Sequence, residues 1–236
     1  MSNQNIDFIK EFGEVAKIVM PVITLFIGTF LGFGVEAIKS SRKRDTELNA
    51  VTSEMNDELI ILKDNLVSVY NAMKNLDIYI HGVENKDEAS IYKTQGKSTI
   101  FIPMKIDLMI MEKNFEVLYV NSESDFRHTL KVIVFLKDTI NKYLDEMRIL
   151  ANKESDRKKE DNDNDVSLMT EILEYKKRYM YTTSCIIYNI DSCLNKKFFL
   201  QKDSKSDDIV EYQLNKLNIP LSPDYLRIKR TEKIRM

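Results

Sequence analysis

The strongest feature in the hydrophobic pattern of this chain is an apolar run from Ile18 to Val35. A bilayer core about 30 Å thick needs roughly 20 mostly apolar helical residues, and about 17 suffice. The run lies at the short end of this range, and Ala37 and Ile38 extend it. The pattern therefore predicts a transmembrane helix over residues 18–38, preceded by a short tail of residues 1–17.

A cleaved signal peptide and a buried helix of a soluble protein are the two alternatives for this run. A signal peptide carries positive charge before a shorter apolar segment, whereas here Asp7, Glu11 and Glu14 precede the run. A helix of a soluble domain keeps a polar face, which this run lacks. These differences favour a retained membrane anchor.

Basic residues are distributed unevenly on the two sides of the run. Two precede it, and four follow it within a few positions: Lys39, Arg42, Lys43 and Arg44. Lys and Arg are retained on the cytoplasmic side of a membrane. We therefore expect the N-terminus outside, the remaining chain in the cytosol, and the inner membrane as the location in a bacterial host. The four residues form a predicted membrane-surface basic cluster, with membrane lipid as its partner.

Small and polar residues recur every four positions inside the predicted span, at Thr24, Gly28, Gly32 and Glu36. Four-residue spacing places them along one helix face, and Gly28 and Gly32 form a G-x-x-x-G motif that lets two membrane helices approach closely. This association face predicts a homo-oligomer. The alternative is that these glycines are ordinary residues of a membrane helix and that Glu36 is simply solvated at the interface.

Beyond the basic cluster the apolar residues step by threes and fours, as in a coiled coil or helical bundle. The first such series is Leu48, Val51, Met55, Leu59, Leu62, Leu66, Val69, Met73, Leu76 and Ile80. Further helices are predicted from Met104, over about Ser124–Ala151, from Met169 to Leu194, and weakly near residues 207–217. The fold class is all-α: a single N-terminal transmembrane helix continues into the long, coiled-coil-like first helix of a cytoplasmic antiparallel bundle, residues 39–219.

Two polar segments interrupt or follow this bundle. Residues 153–165 are charged, lack apolar side chains to bury, and are expected to form a mobile linker. Residues 220–236 form a basic C-terminal tail with five cationic side chains: Arg227, Lys229, Arg230, Lys233 and Arg235. Such a tail suits anionic lipid or nucleic acid, and a solvated terminus is the third option. Lipid is favoured because the predicted anchor already tethers the chain at a membrane, and the net charge of −2 is not that of a dedicated nucleic-acid binder.

Motifs that would indicate catalysis or a cofactor do not match this sequence. The acidic run Asp161–Asp165 lacks the glycine and the glutamate that a calcium-binding loop needs at its sixth and twelfth positions. Zinc fails on ligand number and spacing. Cys185 and Cys193 lie too far apart along one predicted helix for a disulfide, and packed structural thiols are favoured over a nucleophile. We therefore expect no cofactor, no metal and no intrinsic enzymatic activity.

Three functional hypotheses remain. The first is a membrane-anchored interaction or signalling module that self-associates and binds a cytosolic protein partner. The second is a membrane-disrupting effector of a bacterial antiviral or toxin system, in which oligomerised spans permeabilise the membrane. The third, a membrane-tethered nucleic-acid binder that uses the basic tail, is not favoured.

Overall fold

The computed structural model of the 236-residue chain describes residues 3–94, 100–120, 123–160, 166–195 and 206–220. For residues 3–35, 37–38 and 158–160 it describes the backbone but not the side chains. In these ranges the regular secondary structure is helical throughout, which confirms the predicted all-α class. The helices are α1 (Asn3–Glu84), α2 (Glu88–Thr94), α3 (Met109–Lys113), α4 (Phe115–Val120), α5 (Ser124–Glu160), α6 (Ser167–Asn195) and α7 (Ser206–Lys216).

The chain divides into two compact units, Met1–Ala50 and Val51–Met236. The first unit contains the N-terminal part of α1. Within the described residues, no helical stretch has both the length and the apolar character needed to cross a membrane. The run of residues 18–35, on which the predicted transmembrane helix depends, lies outside the residues whose side chains the structure describes.

The second unit is a helical bundle around one apolar core. Side chains of α1, α5 and α6 supply most of this core, and residues of α3, α4 and α7 complete it. Along α1 the predicted positions are buried from Val51 to Ile80, each with an exposed fraction of 6% or less. Leu48, predicted for the same stripe, is instead 44% exposed because it lies in the first unit. The threefold and fourfold spacing therefore identified the buried face of α1 correctly within the bundle.

Helix α5 extends further than its apolar pattern predicts, to Glu160 rather than Ala151. Inside this extension Glu154 is 2% exposed, and both of its carboxylate oxygens accept hydrogen bonds from Arg157 at 3.0 and 3.1 Å. A charged side chain can be buried when a cation one turn away pairs with it, because the pairing offsets the loss of contact with water. The first eight residues of the predicted linker are thus helical, while residues 161–165 lie outside the description.

The turn after α1 ends one helix and begins another. Lys86 has a positive φ of 55°, and the N–H of Asp87 donates to the carbonyl of Gly82 at 2.8 Å, as in a Schellman C-cap. The carboxylate of Asp87 then accepts the backbone N–H groups of Ala89 and Ser90, which caps α2. A short polar helix such as α2 lacks the repeated apolar positions from which a helix is predicted.

Gly82 allows α2 to lie directly against the last turn of α1. A Cβ atom at this position would be 3.0 Å from Cγ1 of Ile91 and 3.2 Å from its backbone nitrogen. These distances are shorter than ordinary van der Waals contacts. Glycine therefore allows this close approach of the two helices without displacing Ile91.

The helix predicted from Met104 begins five residues later, at Met109, and is interrupted at Asn114. The side-chain amide of Asn114 donates to the carbonyl of Ile110 at 2.9 Å, and the backbone N–H of Asn114 donates to the same carbonyl. Local bonds from an asparagine side chain compete with helix continuation. Residues 104–108 are non-helical.

Candidate functional site

The predicted membrane-surface basic cluster lies on helix α1 in the first unit. Lys39, Arg42, Lys43 and Arg44 are all exposed, and so is Glu36. Lys43 is 3.9 Å from Glu47, with its side chain 79% exposed. An ion pair this exposed to water contributes little to the free energy of unfolding. The cluster therefore presents most of its charge to the surroundings.

Helical geometry places part of this cluster on the side of α1 that carries Glu36. Lys39 follows Glu36 by three residues and Lys43 follows it by seven, and both spacings return to nearly the same face of a 3.6-residue helix. Of the predicted association face, only the side chain of Glu36 is described. Thr24, Gly28 and Gly32 lie outside the residues with described side chains, so their grouping stays a prediction.

The basic C-terminal tail also lies outside the described residues, including all five of its predicted contact residues: Arg227, Lys229, Arg230, Lys233 and Arg235. The last described segment before it is a second Schellman turn at the end of α7. Asn218 has a φ of 54°, and the N–H of buried Ile219 donates to the carbonyl of Leu214 at 2.9 Å. This turn ends α7 before Pro220.

The most distinctive feature of the second unit is an extended segment that crosses the bundle helices, residues 100–108, which we call the clasp. It has no regular secondary structure, yet Pro103, Ile106 and Leu108 are buried. A buried backbone without helix or sheet partners must find hydrogen bonds elsewhere. In the clasp, side chains of α5 and α6 supply them, and a side chain of α1 bonds the start of the next helix, α3.

Helix α5 holds the clasp at three points. Asn141 pairs with both backbone groups of Ile106: its Oδ1 accepts the N–H at 2.8 Å, and its Nδ2 donates to the carbonyl at 3.0 Å. Two turns further on, Arg148 donates from Nη2 to the carbonyl of Pro103 at 2.8 Å. One carboxylate, that of Asp145, accepts from Lys105 of the clasp and from Arg148, and these bonds lower its pKa.

Helix α6 holds the start of the clasp through a buried lysine. The side chain of Lys176 is fully buried, and its Nζ donates to the carbonyl of Phe101 at 2.6 Å. Burial lowers the pKa of Lys176 to about 8, because removing an ammonium group from water disfavours the charged form. Lysine is almost never buried without a partner, and here the partner is a backbone carbonyl of the clasp.

Helix α1 binds the chain directly after the clasp through a carboxylate. The two oxygens of Glu54 accept the backbone N–H groups of Ile110 and Met111 at 2.8 and 2.7 Å, in the first turn of α3. One turn along α1, burial first and then the charges of Asp107 and Glu54 raise the pKa of Glu58 to about 7.

The cysteines behave as the sequence predicts. Cys185 and Cys193 are free thiols, both are buried in α6, and burial raises the pKa of each to about 12. A thiol must ionise to act as a nucleophile, so neither is activated. No grouping of three metal-binding side chains occurs within the described ranges.

Sequence reasoning missed the residues that hold the clasp. Asn141 and Arg148 lie beside the predicted core positions of α5, where periodicity does not distinguish them. Lys176 lies within the apolar stripe of α6, between Ile172 and Tyr179, and a lysine at such a position was an available signal. A second signal was Pro103, which disfavours the helical region for the preceding residue.

Comparison of the chain with protein-family models, with curated proteins and with solved structures gave no match.

Proposed function

We propose that this chain is a single-pass, membrane-anchored interaction module. In this proposal residues 18–38 span the membrane with the N-terminus outside, and the bundle lies in the cytosol. The module self-associates through the face formed by Thr24, Gly28, Gly32 and Glu36. It binds lipid and a cytosolic protein partner, and it has no catalytic role.

The observation that carries this proposal is the exposed basic cluster directly after the apolar run. Each Lys or Arg close to an anionic leaflet contributes roughly 1 kcal/mol to membrane attachment. Lys39, Arg42, Lys43 and Arg44 together would therefore add about 4 kcal/mol and would hold this stretch of α1 at the headgroups.

The charges on the proposed association face also suit two parallel copies. On a regular helix Lys39 lies one turn beyond Glu36 on the same side as Gly28 and Gly32. When two such faces meet, each Glu36 can reach the partner's lysine. The attraction between Glu36 of one copy and Lys39 of the other thus offsets the repulsion between the two Glu36 side chains and between the two Lys39 side chains.

The first test is association of the full chain in native membranes. We expect Gly28→Leu with Gly32→Leu to reduce crosslinked dimers by about tenfold, because two bulky side chains prevent close approach of the backbones. Gly34→Leu, on the opposite side of the helix, is the matched control and should leave crosslinking unchanged. Equal crosslinking in the double variant and the wild type would show that this face is not used.

The second test addresses the anchor and its direction. We expect the chain to stay in the membrane fraction after extraction at alkaline pH and high salt, with an N-terminal cysteine tag labelled only from outside. Replacing all four cluster residues with glutamine should produce a mixture of orientations, because the charge bias is then removed. Release by carbonate would contradict the anchor. Loss of membrane potential on induction would favour the membrane-disrupting effector instead.

A further inference from the structure

Opposite its buried stripe, helix α1 carries large apolar side chains that remain exposed within the second unit. Ile60 is 61% exposed, Ile61 49% and Val67 37%. Ile60 and Val67 are two turns apart, and Ile61 lies beside them, so the three occupy one side of the helix. Single exposed aliphatic side chains are common on proteins, but several together mark an interaction surface.

Two exposed carboxylates, those of Asp57 and Asp64, lie among these apolar side chains. Each aspartate is three or four residues from Ile60 and Ile61, a spacing that places side chains on the same side of a helix. In the described part of the chain neither carboxylate takes part in an ion pair or a side-chain hydrogen bond. We call Asp57, Ile60, Ile61, Asp64 and Val67 the acidic face of α1.

The charge of the acidic face decides what can cover it. From Glu54 to Asp64 helix α1 has four carboxylates and one cation, Lys63. A second copy that used the same face would bring these carboxylates together, and an anionic leaflet would be repelled by them. A segment that is both apolar and cationic complements the isoleucines and the aspartates at once.

We propose that the C-terminal tail of this chain, residues 221–236, docks on the acidic face of α1. The tail has five cationic side chains and two carboxylates, and Leu226, Ile228 and Ile234 lie among them. It therefore matches the face both in charge and in apolar character. The contact goes beyond the proposed membrane function and does not depend on it, because the tail and the acidic face both belong to the second unit.

The length of the tail allows this contact. Helix α7 ends in the turn at Asn218, and Ile219 is 3% exposed, so the tail starts from a fixed point of the bundle. A segment as long as residues 221–236 can span at most about 55 Å. The acidic face is about 15 Å long from Asp57 to Val67, and a compact unit of this size has a radius of gyration of about 16 Å. The tail can therefore reach the face while the bundle stays folded.

Tethering makes a weak contact sufficient for docking. A segment joined by a short connection is present at its target at an effective concentration in the millimolar range. Exposed ion pairs contribute little individually and are screened by salt. We therefore expect the tail to dock at low ionic strength and to be released as the ionic strength rises. While the tail is docked, its cations are not available to lipid.

Photocrosslinking of the purified full chain in an uncharged detergent tests the contact. A benzophenone amino acid replaces Ile228, and mass spectrometry locates the residues to which it crosslinks. At about 50 mM salt we expect most protein crosslinks on residues 53–71 of α1, and about fivefold fewer at about 500 mM. Crosslinks on α7 with none on α1, or a yield on α1 that does not depend on salt, would overturn the proposal.

A mixture of isotopically labelled and unlabelled chains identifies the chain that supplies the tail. Crosslinks that join two segments of the same isotopic composition support docking within one chain. Crosslinks between labelled and unlabelled chains in the proportion of random mixing would assign the acidic face to a second copy and would overturn the proposal.

Reversing the charges on both sides of the contact tests its electrostatic basis. Asp57→Lys with Asp64→Lys should reduce the crosslinks on α1 about tenfold, because attraction to the tail becomes repulsion. Adding Arg227→Glu and Arg230→Glu to this variant should restore a large part of the yield, since the charges are then opposite again. A merely structural effect of the lysines would not be reversed by changes in the tail. Failure to restore the crosslinks would therefore overturn the proposal.

Helix α7 provides a matched control, because it carries two exposed carboxylates close to the start of the tail in sequence. Asp208→Lys with Glu211→Lys introduces the same change of charge as the double variant of the acidic face. We expect this control to leave the yield of crosslinks on α1 within about twofold of the wild type. An equal loss in both double variants would show a general effect of net charge and would overturn the proposal.

Discussion

Replacing Asn141 with alanine should destabilise the bundle more than any other single asparagine-to-alanine change on an exposed helix surface. The side chain of Asn141 satisfies both the N–H and the carbonyl of Ile106, at 2.8 and 3.0 Å. Ile106 is 5% exposed. After the substitution its backbone groups would have no equivalent partner on α5, and the clasp would lose its central contact.

The magnitude can be worked from these two bonds. Each hydrogen bond contributes about 1 kcal/mol net, and leaving partly buried backbone groups unpaired adds about 1 to 2 kcal/mol more. Alanine is the better helix former by about 0.6 kcal/mol, which offsets part of the loss. The expected loss in the free energy of unfolding is therefore about 2 to 3 kcal/mol.

Asn56 provides a matched control for this prediction. It lies exposed on α1 and donates only to the carbonyl of Thr52 in its own helix, at 3.0 Å. Asn56→Ala gains the same helix propensity without touching the clasp, so its free energy of unfolding should change by less than about 0.5 kcal/mol. Urea unfolding of the full chain in one detergent, followed by circular dichroism, measures both variants. A difference below about 1 kcal/mol between them would refute this account of the clasp.

Four further changes test other parts of the fold. Lys86→Gly should stabilise the bundle by about 1 kcal/mol in urea unfolding, because glycine adopts a positive φ without the penalty of a side chain; Asn218→Gly, at the equivalent turn, should gain less, since asparagine tolerates this conformation. Gly82→Ala should lower the thermal midpoint by several degrees, corresponding to about 1 to 2 kcal/mol, because its Cβ would press on Ile91; an unchanged midpoint would show that α2 can move away. Lys176→Met should remove a pH dependence of the free energy of unfolding. The folded protein releases the proton of Lys176 near pH 8 and the unfolded chain near pH 10.5. As the pH rises through this interval, the free energy of unfolding of the wild type should therefore increase by up to about 3 kcal/mol relative to the variant. Parallel stability curves for the two proteins would contradict the burial of a charged lysine.

The sequence predicted those parts of the bundle that follow a helical period. Val51, Leu62 and Leu76 are buried on α1 as expected, and so are Leu130 and Ile140 on α5. These positions are predictable because a helix that buries one face carries apolar side chains at a period of about 3.6 residues. The prediction for Leu48 was wrong because the apolar spacing continues towards the N-terminus beyond Val51, where the core begins.

The clasp could not be predicted in the same way. Its bonds join residues that are 35 to 75 positions apart, such as Ile106 with Asn141 and Phe101 with Lys176. No local pattern records which asparagine or lysine will meet an extended backbone. In the sequence Lys176 is unusual only because it lies on the apolar face of α6, between Ile172 and Tyr179, and this position does not show which group it bonds.

Apolar and polar contacts act together in joining the clasp to the helices. Ile106 and Leu108 of the clasp belong to the apolar core, and Ile100, Phe101 and Ile102 pack against it. The hydrophobic effect is non-directional, so these contacts favour burial of the segment without fixing its position. The bonds from Lys176, Asn141 and Arg148 determine which backbone groups of the clasp meet which helix side chains. The apolar contacts therefore hold the clasp on the bundle, and the polar contacts set its register.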